Sequence, residues 1–221
     1  MSWVWVIGAL FVCLIIAFVC HRLFHWRRVV RPTIHLDQLK TGDIVYSTPM
    51  GLTRSIFNIG GVQGTHAMMA LRDDDGEVFL YHITGYHDDP IGNRKPHFTL
   101  ARERLDDYKD DAHFSVFPYL GAPISTERFL NQVHANLKDY EFTTGFIGNY
   151  LKWVLLGIPN KERKKVCCGD LIYLCLVQLG IVPYRVDHWS DAMRFCQSST
   201  PEMVPYQGLK GTYGPPHDLV V

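Results

Sequence analysis

The hydrophobic pattern opens with an unbroken apolar run from Trp3 to Cys20. As a helix, this run would extend roughly 27 Å, close to the hydrocarbon thickness of a bilayer. A cleaved signal peptide would begin with basic residues, whereas this run follows Met1-Ser2 and precedes the basic stretch from His21 to Arg28. We therefore predict a retained transmembrane anchor over residues 1–22, with the lipid bilayer as the partner of the apolar run.

The basic residues behind the anchor set its predicted orientation. They lie at its C-terminal end and in residues 23–35, a basic juxtamembrane linker, and positive charge tends to stay on the cytosolic side of a membrane. The sequence thus predicts a single-pass membrane protein with one compact domain, residues 36–221, on the cytosolic side.

Short β-branched and apolar segments predict a small antiparallel sheet in this domain, and longer periodic segments predict helices packed against it. One helix is expected from Glu127 to Asp139 after a Ser125 or Thr126 cap, and a buried helix from Val166 to Leu179. The fold class is therefore α+β. Strands are predicted at 42–47, 65–72, 78–84, 98–100 and 113–119, and short helices or turns at 52–59, 105–111 and 149–156. The tail after Ser198, which contains several prolines and glycines, is expected to wrap the surface.

The second and third strands form a predicted hairpin that carries two histidines. A three-residue loop, Asp74 to Gly76, would place Met68 opposite His82, with His66 two residues further along the same face. A loop one residue longer would send the two imidazoles to opposite faces of the sheet. The odd-length loop is thus a condition for any joint chemistry of His66 and His82.

A cysteine lies at or just before the first turn of the buried helix. Cys168 gains reactivity there because the unpaired N–H groups and partial positive charge of a helix N-terminus lower a thiol pKa. A thiol together with two imidazoles provides a nucleophile, a base and an orienting group. Cys167 is a rival nucleophile but is expected to point elsewhere, and Cys175 is expected to be a core residue. Structural roles for the cysteine and the histidines, or metal binding by them, are the alternatives, although adjacent cysteines chelate one zinc ion poorly.

Composition narrows the classes of function. The 22 basic and 22 acidic residues give no net charge, so no nucleic-acid partner is indicated. The six cysteines contain no CxxC pair, so neither a zinc module nor a disulfide framework is expected. We expect neither a cofactor nor a metal ion.

Three blocks of sequence resemble the circularly permuted papain-like thiol hydrolases, which include the permuted NlpC-type amidases and the lecithin–retinol acyltransferase-like enzymes. The blocks are Gly42-Asp43-Ile44-Val45, the hairpin that runs from Thr65 through His66 and His82 to Ile83, and Cys168-Gly169-Asp170-Leu171-Ile172. Their order, histidine before cysteine, is that of the permuted branch. The resemblance implies an NlpC-type α+β fold with Cys168 as nucleophile, His66 as general base and His82 as the polar third member.

The resemblance implies attack on an amide or ester carbonyl and an acyl-cysteine intermediate. The expected protein is a membrane-anchored cysteine amidase, peptidase or acyltransferase that acts on an acyl lipid or a peptide. The Gly169-Asp170 pair departs from the Ser-Glu or Glu-His pair that is frequent in the family, which weakens any transfer of substrate specificity. The alternative is a catalytically silent, membrane-anchored scaffold that keeps the fold, for example in a virus particle.

Overall fold

The computed structural model describes residues 8, 12–13, 15–16, 31–49, 66–84, 94–108, 112–142, 164–182 and 211–220. Most of the predicted anchor from Trp3 to Cys20 lies outside these residues, and its described positions are helical. Within the described ranges, no helix combines the length and apolar character that crossing a bilayer requires. The predicted short helices at 52–59 and 149–156 also lie outside the described residues.

The domain is built on a seven-stranded mixed sheet, which establishes the α+β class. The strand order is β1-β9-β6-β2-β3-β4-β5, and every neighbouring pair is antiparallel except β1 with β9. The strands of this sheet are β1 (Thr33–His35), β2 (Ile44–Pro49), β3 (His66–Arg72), β4 (Val78–His82), β5 (His97–Leu100), β6 (Ala112–Phe117) and β9 (His217–Val220). A separate parallel pair joins β7 (Glu141–Phe142) to β8 (Lys165–Val166).

Helices cover the sheet as the periodicity predicts, with shifted ends. They are α1 (Ala101–Tyr108), α2 (Thr126–Phe129), α3 (Ala135–Leu137) and α4 (Cys168–Gln178), with a π-helical turn (Leu130–His134) between α2 and α3 and a 3₁₀ turn (Leu36–Gln38) after β1. Ser125 caps α2 by accepting a hydrogen bond from the Arg128 amide. Gly180 follows α4 with φ +72°, a conformation that suits glycine and ends the helix.

Successive side chains of β3 point to opposite faces of the sheet, and each face has its own part of the core. Ala67, Met69 and Leu71 face the side on which α4 packs, and they share a buried cluster with Leu171 and Cys175. The intervening residues of β3 join a second cluster on the opposite face, beneath α1. Because both faces are covered, β3 is apolar throughout its interior, and its position beneath α4 is fixed from both sides.

The hairpin adopts the predicted odd-length loop. Asp73 and Glu77 close the turn through a hydrogen bond of 2.9 Å from the Asp73 amide to the Glu77 carbonyl. Met69 pairs with Tyr81, so one step further along the ladder Met68 lies opposite His82. The predicted face for the two histidines is therefore confirmed.

The sequence predicts a tail that wraps the surface. The end of the tail instead enters the sheet as a strand. Strand β9 lies between β1 and β6, and Asp218 accepts a hydrogen bond of 3.0 Å from the His113 ring and pairs with Arg31 at 3.6 Å. Strand β1 occupies residues that were assigned to the linker. Both strands are too short to show a period, so their pairing depends on partners that are distant in sequence.

The Gly42-Asp43 pair anchors the start of β2. The buried Asp43 carboxylate accepts hydrogen bonds from the amides of Lys40 at 2.8 Å and Tyr119 at 2.7 Å. The Tyr213 hydroxyl donates to the Gly42 carbonyl at 2.9 Å. Three distant segments of chain therefore meet at this corner, and Gly42, at φ +99°, makes the turn.

We expect Gly42→Ala to lower the free energy of unfolding by about 2–3 kcal/mol, because the positive φ is strained for alanine and the new Cβ would lie 3.2 Å from the Tyr119 ring. Gly76→Ala is the matched control, since φ is +86° there and only the flexible end of Arg72 comes near. It should cost about 1–2 kcal/mol. Urea denaturation of the full-length protein measures both values, and equal losses would contradict the packing role of Gly42.

Candidate active site

The first turn of α4 positions the candidate nucleophile. Cys167 is extended and serves as the N-cap, so Cys168 is the first helical residue. A reciprocal capping box holds this turn: the Cys167 amide donates to Asp170 Oδ2 at 3.0 Å, and the Cys167 side chain receives the hydrogen bond of the Asp170 amide. The helix start is therefore fixed by its own side chains, as Ser or Thr with Glu fixes other helices.

The two histidines of the hairpin contact one another. His66 Nε2 lies 3.1 Å from His82 Nδ1, and the rings meet edge to face with their centres 5.1 Å apart. His66 is half-buried at the first position of β3, whereas His82 is fully buried at the last position of β4. The diagonal neighbours predicted from the hairpin register therefore form a hydrogen-bonded pair.

A threonine extends this pair into a chain of three side chains. His82 Nε2 lies 2.7 Å from Thr99 Oγ1 on the neighbouring strand β5. Burial lowers the pKa of His82 well below its ordinary value, and the nearby His66, His97 and Arg104 lower it further. A neutral His82 that donates from Nε2 to Thr99 has Nδ1 free to accept a hydrogen bond from His66 Nε2. His82 is thus arranged to fix the orientation of His66 and to accept its N–H.

The sulfur of Cys168 lies beside the first residues of β3. Hydrogen bonds from the Cys167 side chain, the His66 ring and the Ala67 amide lower the pKa of the Cys168 thiol well below its ordinary value, and burial opposes this effect only in part. A positively charged His66 ring lowers it further. Because Nε2 of His66 contacts His82, Nδ1 is the ring nitrogen left to face the sulfur. The thiol is therefore set to ionise and to pair with an imidazolium.

All three residues singled out in the sequence, Cys168, His66 and His82, are brought together. The structure adds Thr99, which the sequence did not indicate because a strand threonine has no distinguishing local pattern. It also corrects the interpretation of Cys167, whose buried side chain does not point elsewhere but bonds to Cys168. The capping box, Cys167 with an acidic residue three positions later, is the signal that would have placed it.

The remaining cysteine and histidine expectations have mixed outcomes. Cys175 is fully buried on the core side of α4, as predicted, and burial raises its thiol pKa. The sequence also predicts surface positions for six other histidines, but four of them are partly buried and in contact with other groups: His97, His113, His134 and His217. His87 and His188 lie outside the described residues. In the described ranges, no cluster of three or more His, Cys, Asp or Glu side chains is arranged to hold a metal ion.

No family model, curated protein or solved structure matches this chain. The interpretation of the site therefore depends on its own geometry.

Cys168 should react with iodoacetamide near neutral pH, because its pKa is lowered, whereas Cys175 should stay unmodified in the folded protein. His66→Ala removes a hydrogen bond to a charged sulfur and should slow alkylation of Cys168 at pH 6.5 about tenfold or more. Peptide mapping by mass spectrometry, with Cys13→Ala as control, measures the rate at each cysteine. Equal rates in His66→Ala and the natural sequence would contradict the sulfur–imidazole contact.

Thr99→Val should destabilise the protein by about 1–2 kcal/mol, since the buried Nε2–H of His82 loses its acceptor. It should also slow the alkylation of Cys168 several-fold, because His66 is then held less firmly. Thr99→Ser keeps the hydroxyl and serves as the control. Thermal unfolding and the alkylation rate measure the two effects, and identical behaviour of the valine and serine variants would exclude Thr99 from the chain of hydrogen bonds.

Proposed function

We propose that this protein is a membrane-anchored cysteine hydrolase or acyltransferase that acts on an amide or ester through an acyl-cysteine intermediate. The observation that carries this proposal is the contact of Cys168 with His66, which continues through His82 to Thr99. A lowered thiol pKa, a base in contact with the sulfur and a neutral residue that orients the base are the requirements of nucleophilic thiol catalysis.

In the proposed reaction, the Cys168 thiolate attacks the carbonyl carbon of the acyl donor. The carbonyl oxygen becomes an oxyanion, and the amides of the first turn of α4 provide donors that favour negative charge there. His66, protonated as the partner of the thiolate, then gives its proton to the departing amine or alcohol as the carbon–heteroatom bond breaks. The product of this half-reaction is an acyl thioester on Cys168.

The second half-reaction regenerates the thiol. His66, now neutral, removes a proton from water or from an acceptor amine or alcohol as that group attacks the thioester carbonyl. The carbon–sulfur bond breaks, and the thiolate is restored beside the protonated imidazole. His82 takes no proton in either step, because its lowered pKa keeps it a neutral acceptor for the His66 N–H.

The proposed fold is the permuted papain-like, NlpC-type arrangement. It is supported by the chain order of histidine hairpin before cysteine helix and by the packing of α4 across β3 and β4. The Gly-Asp block at the start of β2, which carries part of the sequence resemblance, is a structural corner in this chain. Its place in the fold is therefore separate from the catalytic chemistry.

The proposed setting is the cytosolic face of a membrane. The apolar run from Trp3 to Cys20 and the basic residues after it support an anchor. The short chain between Cys20 and Thr33 would keep the domain close to the bilayer, since fully extended residues span at most about 3.3–3.6 Å each. This proximity favours an acyl lipid or a membrane-associated acyl group over a soluble peptide as the substrate.

The alternative of a silent scaffold predicts a sulfur too distant from imidazole to form a hydrogen bond. The contact between Cys168 and His66 favours the enzyme instead. A silent scaffold could alternatively have its groove filled by the tail after Ser198, and most of that tail lies outside the described part of the chain.

Full-length protein in membranes washed with alkaline carbonate should form an acyl adduct on Cys168 when incubated with phospholipid or with an activated acyl ester. Release of the protein by the wash would contradict the proposed membrane anchor. Intact mass and peptide mapping detect the adduct. Cys168→Ala should form none, and His66→Ala should reduce its rate by about 10²-fold or more.

A panel of phosphatidylcholine, acyl-amine and acyl-peptide donors, with water or a primary amine as acceptor, separates the substrate classes. Turnover with lipid donors and not with peptide donors is the expected result. Folded protein that forms no adduct with any donor, although Cys168 still alkylates, would favour the scaffold.

A further inference from the structure

A buried carboxyl group lies next to the candidate nucleophile. Asp170 is 0% exposed, and its Oδ2 accepts the Cys167 amide at 3.0 Å. Its other oxygen, Oδ1, is also buried and has no hydrogen-bond partner among the residues that the structure describes. A carboxyl group in this position is costly when charged, and a capping role alone would be served by a neutral side chain.

The Cys167 side chain lies between this carboxyl group and the nucleophile. It is 3% exposed and lies close to both the Cys168 sulfur and the Asp170 carboxyl group. A thiol carries a single S–H proton. It can therefore serve only one of the two acceptors fully at any moment, and a charged Asp170 competes with the Cys168 thiolate for it.

We propose that Cys167 activates Cys168 by donating its S–H to the thiolate, and that Asp170 is a positioning residue whose protonation decides which acceptor receives this proton. This inference rests on the proposed function, because it concerns the ionisation of the same nucleophile. The inference assigns roles to Cys167 and Asp170, the two residues of the capping box. Cys167 is then a partner of Cys168 and not a rival nucleophile.

The electrostatics of the first turn support this arrangement. Burial raises the pKa of Asp170 to about 7, the charge on Cys168 contributes in the same direction, and hydrogen bonds from Cys167 oppose the rise. A thiolate at Cys168 thus favours a protonated Asp170, and by linkage a protonated Asp170 favours the thiolate. As pH rises through about 7, Asp170 ionises, draws the Cys167 S–H toward itself and repels the thiolate.

Other titratable groups near α4 act on different parts of the site. His66 acts directly on the Cys168 sulfur. Asp170 instead interacts with Cys167 and Cys168 within the first turn of α4. The titratable and charged groups on the elements packed against α4 are His66 and Arg72 of β3, Tyr81 and His82 of β4, Lys165 of β8 and His134 of the π-helical turn. A pH effect that disappears on removal of the Asp170 charge is therefore separable from the histidines.

The test is the pH dependence of Cys168 alkylation by iodoacetamide in the full-length protein, with fragment-ion mass spectrometry to distinguish Cys168 from Cys167. The natural sequence should show an inflection near pH 7, where Asp170 ionises, in addition to that of the thiol. Asp170→Asn keeps the shape and the cap acceptor but cannot ionise, so its profile should lose the inflection near pH 7. A profile that superposes on that of the natural sequence would overturn the role of Asp170.

Cys167 is tested by a matched pair of substitutions. Cys167→Ala removes the donor and should slow Cys168 alkylation at pH 6 by about three- to tenfold. Cys167→Ser keeps both a donor and a cap, so it should remain within about twofold of the natural rate. Equal rates in the alanine and serine variants would overturn the donor role. If Cys167→Ala does not fold, the serine variant and Asp170→Asn decide the question, because a serine variant slowed as strongly as predicted for alanine also contradicts the proposal.

These measurements need no acyl substrate. Loss of the inflection near pH 7 in Asp170→Asn, with no acyl adduct in any assay, would reject the proposed enzyme but support the coupling of Asp170 to Cys168. Acyl transfer together with the same alkylation profile in Asp170→Asn and the natural sequence would support the enzyme and reject the coupling.

Discussion

The arrangement depends on one packing constraint, the seating of the N-terminus of α4 against the start of β3. Helix α4 buries its apolar side against Ala67, Met69 and Leu71. This packing fixes the position of the helix N-terminus relative to the start of β3. Cys168 thereby reaches the Ala67 amide and the His66 ring. A shift of a single helical residue, about 1.5 Å along the axis and 100° around it, would turn another side chain toward the imidazole.

Polar groups in this region are buried in a connected series. Thr99 accepts a hydrogen bond from His82, and His82 accepts one from His66. His66 in turn contacts the Cys168 sulfur. Such series are stable when every member is satisfied, and their cost rises when one partner is missing. His82, fully buried and with its pKa lowered, is suited to a fixed neutral role in the middle of the series. Asp170 differs from these residues, since one of its oxygens has no hydrogen-bond partner in the described part of the chain, and it lies two residues from the nucleophile.

The two ends of the described domain are joined by the sheet itself. Strand β9, the last described element, lies between β6 and β1, which occupies the last residues of the predicted juxtamembrane linker. Arg31 and His113 meet Asp218 across these strands. The segment that leads into the domain is thus held by the C-terminal strand.

The sequence by itself determined the local features: the α+β class, the hairpin with its odd loop, the face shared by His66 and His82, and a buried helix with Cys168 near its start. These follow from period, turn chemistry and capping, which act over a few residues. Only the tertiary structure decided that Thr99 supports His82, that Cys167 turns toward Cys168, and that β1 and β9 pair within the sheet. Those contacts join segments without a distinctive local pattern, or depend on one side chain's direction at a helix cap, so they are fixed by packing between distant parts of the chain.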